Sequence, residues 1–216
     1  MFGDKLYDSG LVEIINNAID LAQFEYTPQV RDIIRSELNI SDKLVIGHVG
    51  RFMKQKNHLF LIDIFKQIHL RDSNTVLLLV GEGDLEQDIK DKVNRLELGG
   101  CVFFLGVRTD VHNLFSAMDV FLLPSLYEGL PVVGIEAQAS GLRVVAADTI
   151  TKDAKIVENF IFIPLEQSAQ SWAEKALESH TSTRHCRESA INRIIDAGFE
   201  IKTAARKLLR FYEGII

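Results

Sequence analysis

The chain has 216 residues, 47% of them hydrophobic and 25% charged, with a formal net charge of −6 and a pI near 5.5. That length corresponds to about 1.4 domains, and a domain of this size buries roughly 70% of its unfolded surface without a covalent staple. The acidic balance excludes broad nucleic-acid binding, which needs an electropositive footprint, but leaves room for a small anionic ligand held by local cations.

In chain order, Val12–Ile15 reads as a short strand and Gln29–Leu38 as a helix. Neither fits the rhythm that follows, so residues 1–40 read as an arm or linker attached to a main domain over 41–216. Leu44–Val49 is a continuous apolar run closed by Gly50, the mark of a strand buried on both faces. His58–His69 carries Leu59, Ile62, Phe65 and Ile68 at spacings of three, one face of a helix. Thr75–Val80 is the next buried strand, ending in Gly81-Glu82-Gly83. Asp84 stands where an N-cap belongs, Leu85, Ile89, Val93 and Leu96 continue as a helical stripe, and Gly99-Gly100 is expected to stop it. Val102–Leu105 reads as strand, Val111–Met118 as helix and Val120–Leu123 as strand. Pro131–Ser140 reads as a helix with Gly141 as its C′ glycine. Val144–Ala146 and Phe160–Ile163 are later strands, and two or three helices run from Ala169 to the end.

Buried strands alternating with helices imply an α/β fold, a doubly wound parallel sheet of the Rossmann-like kind. Such sheets bind ligands beyond the carboxyl ends of their strands. The loops after Val49, Val80, Leu105 and Leu123 are therefore the places to look.

The loop after the first strand, Gly50–His58, carries Arg51 and Lys56, with Lys56 near the start of the following helix. Cations beside a helix N-terminus suit phosphate, although a solvated basic loop would look the same from composition. In Pro124–Ala137, Glu128 precedes a helix start and Glu136 sits within an apolar helix, about 7–8 Å further along its axis than Pro131. Burying Glu136 without a partner would cost several kcal/mol. Carboxylate, amide cradle and carboxylate match hydroxyl, phosphate and hydroxyl, the order in which a sugar nucleotide presents its groups. Two unrelated glutamates at a solvated edge is the competing reading.

Other motifs fail. Gly81-Glu82-Gly83 lacks the third glycine of a dinucleotide fingerprint, which Glu86 replaces, and no P-loop, His-Glu-x-x-His or Asp-x-Asp occurs. No metal site is expected. Adjacent His185 and Cys186 fit a surface helix better than a metal site, and His48 in a buried strand reads as structural. Cys101 and Cys186 are too few for a disulfide framework and fit reduced thiols. No apolar run reaches the ~18–20 residues of a membrane span, and no signal pattern opens the chain. A cytoplasmic protein is expected.

Taken together, Gly47–Arg51, Lys56-Asn57-His58, Gly81-Glu82-Gly83, Leu105–Val111 and Asp119–Asp148 occur in the order found in glycosyltransferase family 4. Glu128 and Glu136 form that family's E-x7-E motif, and the opening segment resembles its "VIPNGID…F" linker. The resemblance runs from about Val12 to Phe211 and leans towards bacterial capsular and exopolysaccharide enzymes. It implies the C-terminal, donor-binding half of a GT-B enzyme, whose two Rossmann-like domains face across a cleft. On that reading an N-terminal acceptor domain is missing from this chain, and the full enzyme would work at the inner face of the cell membrane.

By the same resemblance, Arg51 and Lys56 hold the diphosphate and Glu128 touches donor-sugar hydroxyls. Gly129 and Leu130 offer backbone amides, Glu136 holds the ribose, and Val107 and Arg108 frame the base. The partners implied are a nucleotide-sugar, with a UDP-sugar expected, and a glycan or lipid-linked acceptor, with no divalent metal and no cofactor. Sugar transfer with retention is the activity implied. Arg143 replaces a frequent proline and Ala18 a frequent glycine. The alternatives are a GT-B epimerase or phosphorylase, the latter with pyridoxal phosphate on Lys56, or a non-catalytic sugar-nucleotide-binding subunit.

Overall fold

The structure, a computed structural model, describes residues 15–178 and 190–214. Residues 12–14 of the expected first strand, and His185 and Cys186, lie outside the described residues. Six strands, β1 (Leu44–Val49), β2 (Thr75–Val80), β3 (Val102–Phe104), β4 (Val120–Leu123), β5 (Arg143–Ala147) and β6 (Phe160–Ile163), form one parallel sheet in the order β3-β2-β1-β4-β5-β6. This is the doubly wound Rossmann-like order, with its reversal between β1 and β4.

The described helices are α1 (Pro28–Glu37), α2 (His58–Arg71), α3 (Glu86–Arg95), α4 (Val111–Ala117), α5 (Val132–Ala139), α6 (Ala169–Leu177), α7 (Ala190–Asp196) and α8 (Ile201–Tyr212). One face of the sheet, with Ile46, Leu77, Leu79, Leu122 and Val145, packs under α2, α3 and α6. The other, with Val45, Leu78, Phe121, Leu123 and Val144, packs under α1, α4 and α5. Consecutive residues of each strand are thus buried on opposite sides, which is why the strands read as unbroken apolar runs. Among the described residues, no helix is long and apolar enough to cross a membrane.

Several elements differ locally from what the sequence predicts. In α2 the buried face comprises Leu61, Ile62, Ile64, Phe65 and Ile68, while Leu59 is 39% exposed. Asp84 is not the cap of α3. Leu85 holds that position, and its N–H donates to Phe52 O at 3.0 Å, which docks the helix start onto the loop after β1. Pro131 is the N-cap of α5 rather than its first helical residue. Gly141 does close α5 as expected, at φ +67°, with Leu142 N–H donating to Ala137 O at 3.0 Å.

The stop of α3 also differs. Glu97, at φ +59°, turns the chain two residues before Gly99-Gly100, and Leu98 N–H closes the turn onto Val93 O at 3.0 Å. A left-handed glutamate carries a steric cost that glycine lacks. Glu97→Gly should therefore stabilise the chain by about 0.5–1 kcal/mol, less any loss of chain entropy. A lowered denaturant midpoint would contradict this account of the turn.

Helix α1, read from the sequence as part of an arm, is tied into the domain by charge. Arg31 and Arg35 each place a guanidinium nitrogen 2.6 Å from a different oxygen of Asp119, at the start of β4. Val45 N–H of β1 donates to Asp119 Oδ2 at 2.8 Å, and Arg35 Nε donates to Ala117 O at 2.9 Å. Burial alone would raise the Asp119 pKa, but the two guanidiniums outweigh it and hold the carboxyl below its ordinary range.

Candidate active site

The β1–β4 ladder is short, pairing only Ile46 with Val120 and Gly47 with Phe121. Beyond it the His48 ring bridges the strands, with Nδ1–H donating to Leu122 O at 2.8 Å. Burial pushes the His48 pKa down to about 4, so the ring is neutral near pH 7 and structural in character. The loops that follow β1 and β4 then face each other at the switch point of the sheet.

The loop after β1 keeps company with the turn after β2. Gly50 N–H donates to Val80 O and Phe52 N–H to Glu82 O, both at 2.9 Å. Gly81 adopts φ +131°, and a Cβ there would lie 2.3 Å from Gly50 O. The glycine turn that fails as a dinucleotide fingerprint thus has a steric purpose, close backbone contact beneath the site.

From there a short turn, Lys54–Lys56, leads into α2 through Asn57 in the left-handed region at φ 57°. Asparagine tolerates that conformation, and here its Nδ2 donates to Pro124 O at 3.1 Å. Leu126 N–H donates to Gln55 O at 2.8 Å, and Gln55 Nε2 donates to Tyr127 O at 2.9 Å. Three hydrogen bonds therefore clip the two loops together.

Between them lies a cleft of about 550 Å³, lined by Arg51, Lys56, Glu128, Leu130, Glu136 and the first turn of α5. That size suits a small organic ligand. Lys56 Nζ sits 2.5 Å from Glu128 Oε1, and Ser125 Oγ donates to the same oxygen at 2.9 Å. The sequence brings Lys56 and Glu128 to one site but does not reveal that they pair. Glu136 is half-buried, its carboxylate has no ion pair or hydrogen bond among the described residues, and burial raises its pKa. An unsatisfied carboxylate at a cleft wall is available to a ligand.

A second space of about 280 Å³ shares Val49, Gly50, Arg51 and Val111 with the first and adds Val107 and Arg108. The Arg108 guanidinium is engaged by Asp110, through two bonds of 2.7 Å. Gly129 stands in sequence between the cleft-lining Glu128 and Leu130, and a Cβ there would meet nothing within 4 Å. Arg143 lies at the start of β5, the strand end remote from the cleft, and donates to Lys175 O at 2.9 Å.

Gln23, Phe24, Thr109 and His112 also line the cleft and were not singled out by sequence reasoning. Phe24 belongs to the linker-like segment, which was the available signal. His112 lies one residue after the expected start of α4, and nothing in its spacing distinguishes it. Among the described residues no group of three or more His, Cys, Asp or Glu side chains is placed to hold a metal ion.

Comparison with known proteins bears on this geometry. EpsF of Bacillus subtilis (strain 168) is 34% identical over 214 residues, covering 98% of this chain and 56% of EpsF. The UDP-Gal:alpha-D-GlcNAc-diphosphoundecaprenol alpha-1,3-galactosyltransferase of Escherichia coli is 28% identical, covering 98% of this chain and 57% of its own length. Among solved structures, Anabaena Alr3699/HepE in complex with UDP superposes with a TM-score of 0.81 at 25% identity, over 95% of this chain and 58% of HepE. The chain thus spans little more than half the length of these proteins. Residues 30–193 match the model of the family described as "Glycosyl transferases group 1". A chain with this sheet order, this cleft and that match belongs to the group 1 glycosyl transferases.

Proposed function

We propose that the chain is the donor-binding half of a retaining GT-B glycosyltransferase of family 4, which moves a sugar from a UDP-sugar to a polysaccharide or lipid-linked acceptor. The observation that carries this reading is the cleft at the β1/β4 reversal, where Arg51, Lys56, Glu128 and Glu136 line one space with the start of α5. The UDP complex of HepE and the UDP-Gal donor named for the Escherichia coli enzyme support a uridine nucleotide. The acceptor would come from an N-terminal half facing the cleft, with the enzyme in the cytoplasm at the membrane's inner face.

In this scheme Arg51 and Lys56 bind the diphosphate beside the helix N-terminus. Glu128 takes hydroxyls of the donor sugar, Leu130 and Gly129 contribute backbone amides, and Glu136 takes the ribose hydroxyls. The slot by Val107 and Arg108 receives the base. During transfer the bond from the anomeric carbon to the diphosphate oxygen breaks, and the acceptor oxygen bonds to that carbon on the same face. The acceptor proton passes to the departing phosphate, whose growing charge Arg51, Lys56 and the α5 dipole stabilise without a divalent metal.

Calorimetric titration with UDP, GDP, ADP and CDP tests the reading. UDP should bind the isolated chain most tightly, with little or no sugar transfer until an acceptor half closes the site. Failure of every nucleotide to bind would overturn the proposal. Full-length enzyme should retain transfer in EDTA, and loss of activity reversed by added metal would overturn the metal-free scheme.

A further inference from the structure

Two donors converge on a single oxygen of Glu128. Lys56 Nζ lies 2.5 Å and Ser125 Oγ 2.9 Å from Oε1, and among the described residues nothing donates to Oε2. The donors differ in kind. Lys56 ends a flexible stem and is itself assigned to the diphosphate, so it can be drawn away when the ligand arrives. Ser125 is fully buried, on a short side chain that cannot follow.

The backbone that carries Ser125 is held from the neighbouring strand. Thr149 Oγ1, just beyond β5, donates to Ser125 O at 2.9 Å. Next to it, Ile150 and Glu128 form an isolated parallel bridge. A strap from the end of β5 thus fixes both ends of the Ser125–Glu128 turn. A glutamate otherwise offers two equivalent oxygens and several rotamers, whose freedom would be lost again on binding.

We propose that Ser125 is a positioning residue for the donor-sugar contact. Its hydroxyl holds Glu128 Oε1 in place when Lys56 turns to the diphosphate, so that Oε2 is presented to a sugar hydroxyl. This rests on the reading of Glu128 as the ligand of the donor sugar. Ser125 touches no substrate and acts only through that carboxylate.

The test is the ratio of sugar-nucleotide affinity to UDP affinity, measured by calorimetry with UDP, UDP-glucose, UDP-galactose and UDP-N-acetylglucosamine. It compares the unaltered chain with Ser125→Ala, Ser125→Cys, Glu128→Gln and the double variant, each first shown to fold by thermal unfolding. Ser125→Ala should lower the ratio for the best sugar nucleotide roughly 3- to 10-fold, with the weakly donating thiol of Ser125→Cys between. In the Glu128→Gln background the same change should add less than about twofold, because coupled residues are not additive.

Equal weakening of UDP and the sugar nucleotides would make the hydroxyl merely structural and overturn the proposal. So would an undiminished effect in the Glu128→Gln background. A ratio unchanged by Glu128→Gln itself would instead sink the role of Glu128, and that of Ser125 with it. Should Ser125→Ala fail to fold, Ser125→Cys is judged by the same three criteria.

Discussion

Asp119→Ala should destabilise the chain by about 3–5 kcal/mol, the usual cost of removing one partner from a buried ion pair. The side chains of Arg35 and Asp119 are only 7% and 18% exposed, and Arg31 is 19% exposed. Removing the carboxylate leaves two neighbouring guanidiniums facing each other with their charge uncompensated. It also orphans the Val45 amide at the start of β1. At about 2–4 °C per kcal/mol for a chain of this length, the thermal midpoint should fall by roughly 6–20 °C. A fall below about 2 °C would show that α1 is held by its apolar face alone.

The same group predicts an acid dependence. Its pKa is depressed in the fold, so its stabilisation is complete above the unfolded value of about 3.9 and is lost as pH falls through the folded value. The stability difference between Asp119→Ala and the unaltered chain should therefore narrow as the solution is acidified below pH 4.

Glu136→Gln should weaken UDP binding about 10- to 150-fold, the range expected when a hydrogen bond loses its charged partner. The amide keeps one acceptor oxygen and nearly the same shape, so a loss of this size reports charge rather than fit. Burial raises the Glu136 pKa, which means the fold tolerates the ionised form at a cost near neutral pH. Glu136→Gln should therefore raise the thermal midpoint of the ligand-free chain at pH 7, with the gain shrinking as Glu136 is itself protonated at lower pH. Glu128→Gln should act on the sugar nucleotide instead, since UDP carries no hexose. Equal loss of UDP affinity in the two folded variants would end this division of labour.

The strands and their burial were readable because a parallel sheet covered on both faces writes each strand as an unbroken apolar run. Leu44–Val49, Thr75–Val80 and Val120–Leu123 all have the predicted limits. The grouping of the candidate residues was readable at the level of residue types, since Arg51, Lys56, Glu128 and Glu136 line one cleft. What periodicity cannot show is which charged groups meet. Lys56 and Glu128 are 72 positions apart, and Asp119 stands 88 and 84 positions from Arg31 and Arg35. Such pairings depend on strand order, which local patterns do not encode. Glu97 is a different failure, because the packing of Leu98 against the core places the turn before the glycines that sequence rules favour.

The contact between Gly81 and the Gly50 carbonyl divides the binding region into two materials. Its floor is main chain against main chain, so any side chain at Gly81 would have to displace the backbone of the loop that bears Arg51. Its rim, at Val107, Thr109 and His112, consists of side chains on one short stretch, the loop after β3 and the first turn of α4. A laboratory redesign of nucleotide or sugar preference would therefore have its freedom at the rim alone. The floor behaves as fixed chassis, on which new specificities can be mounted without re-solving how the chain folds.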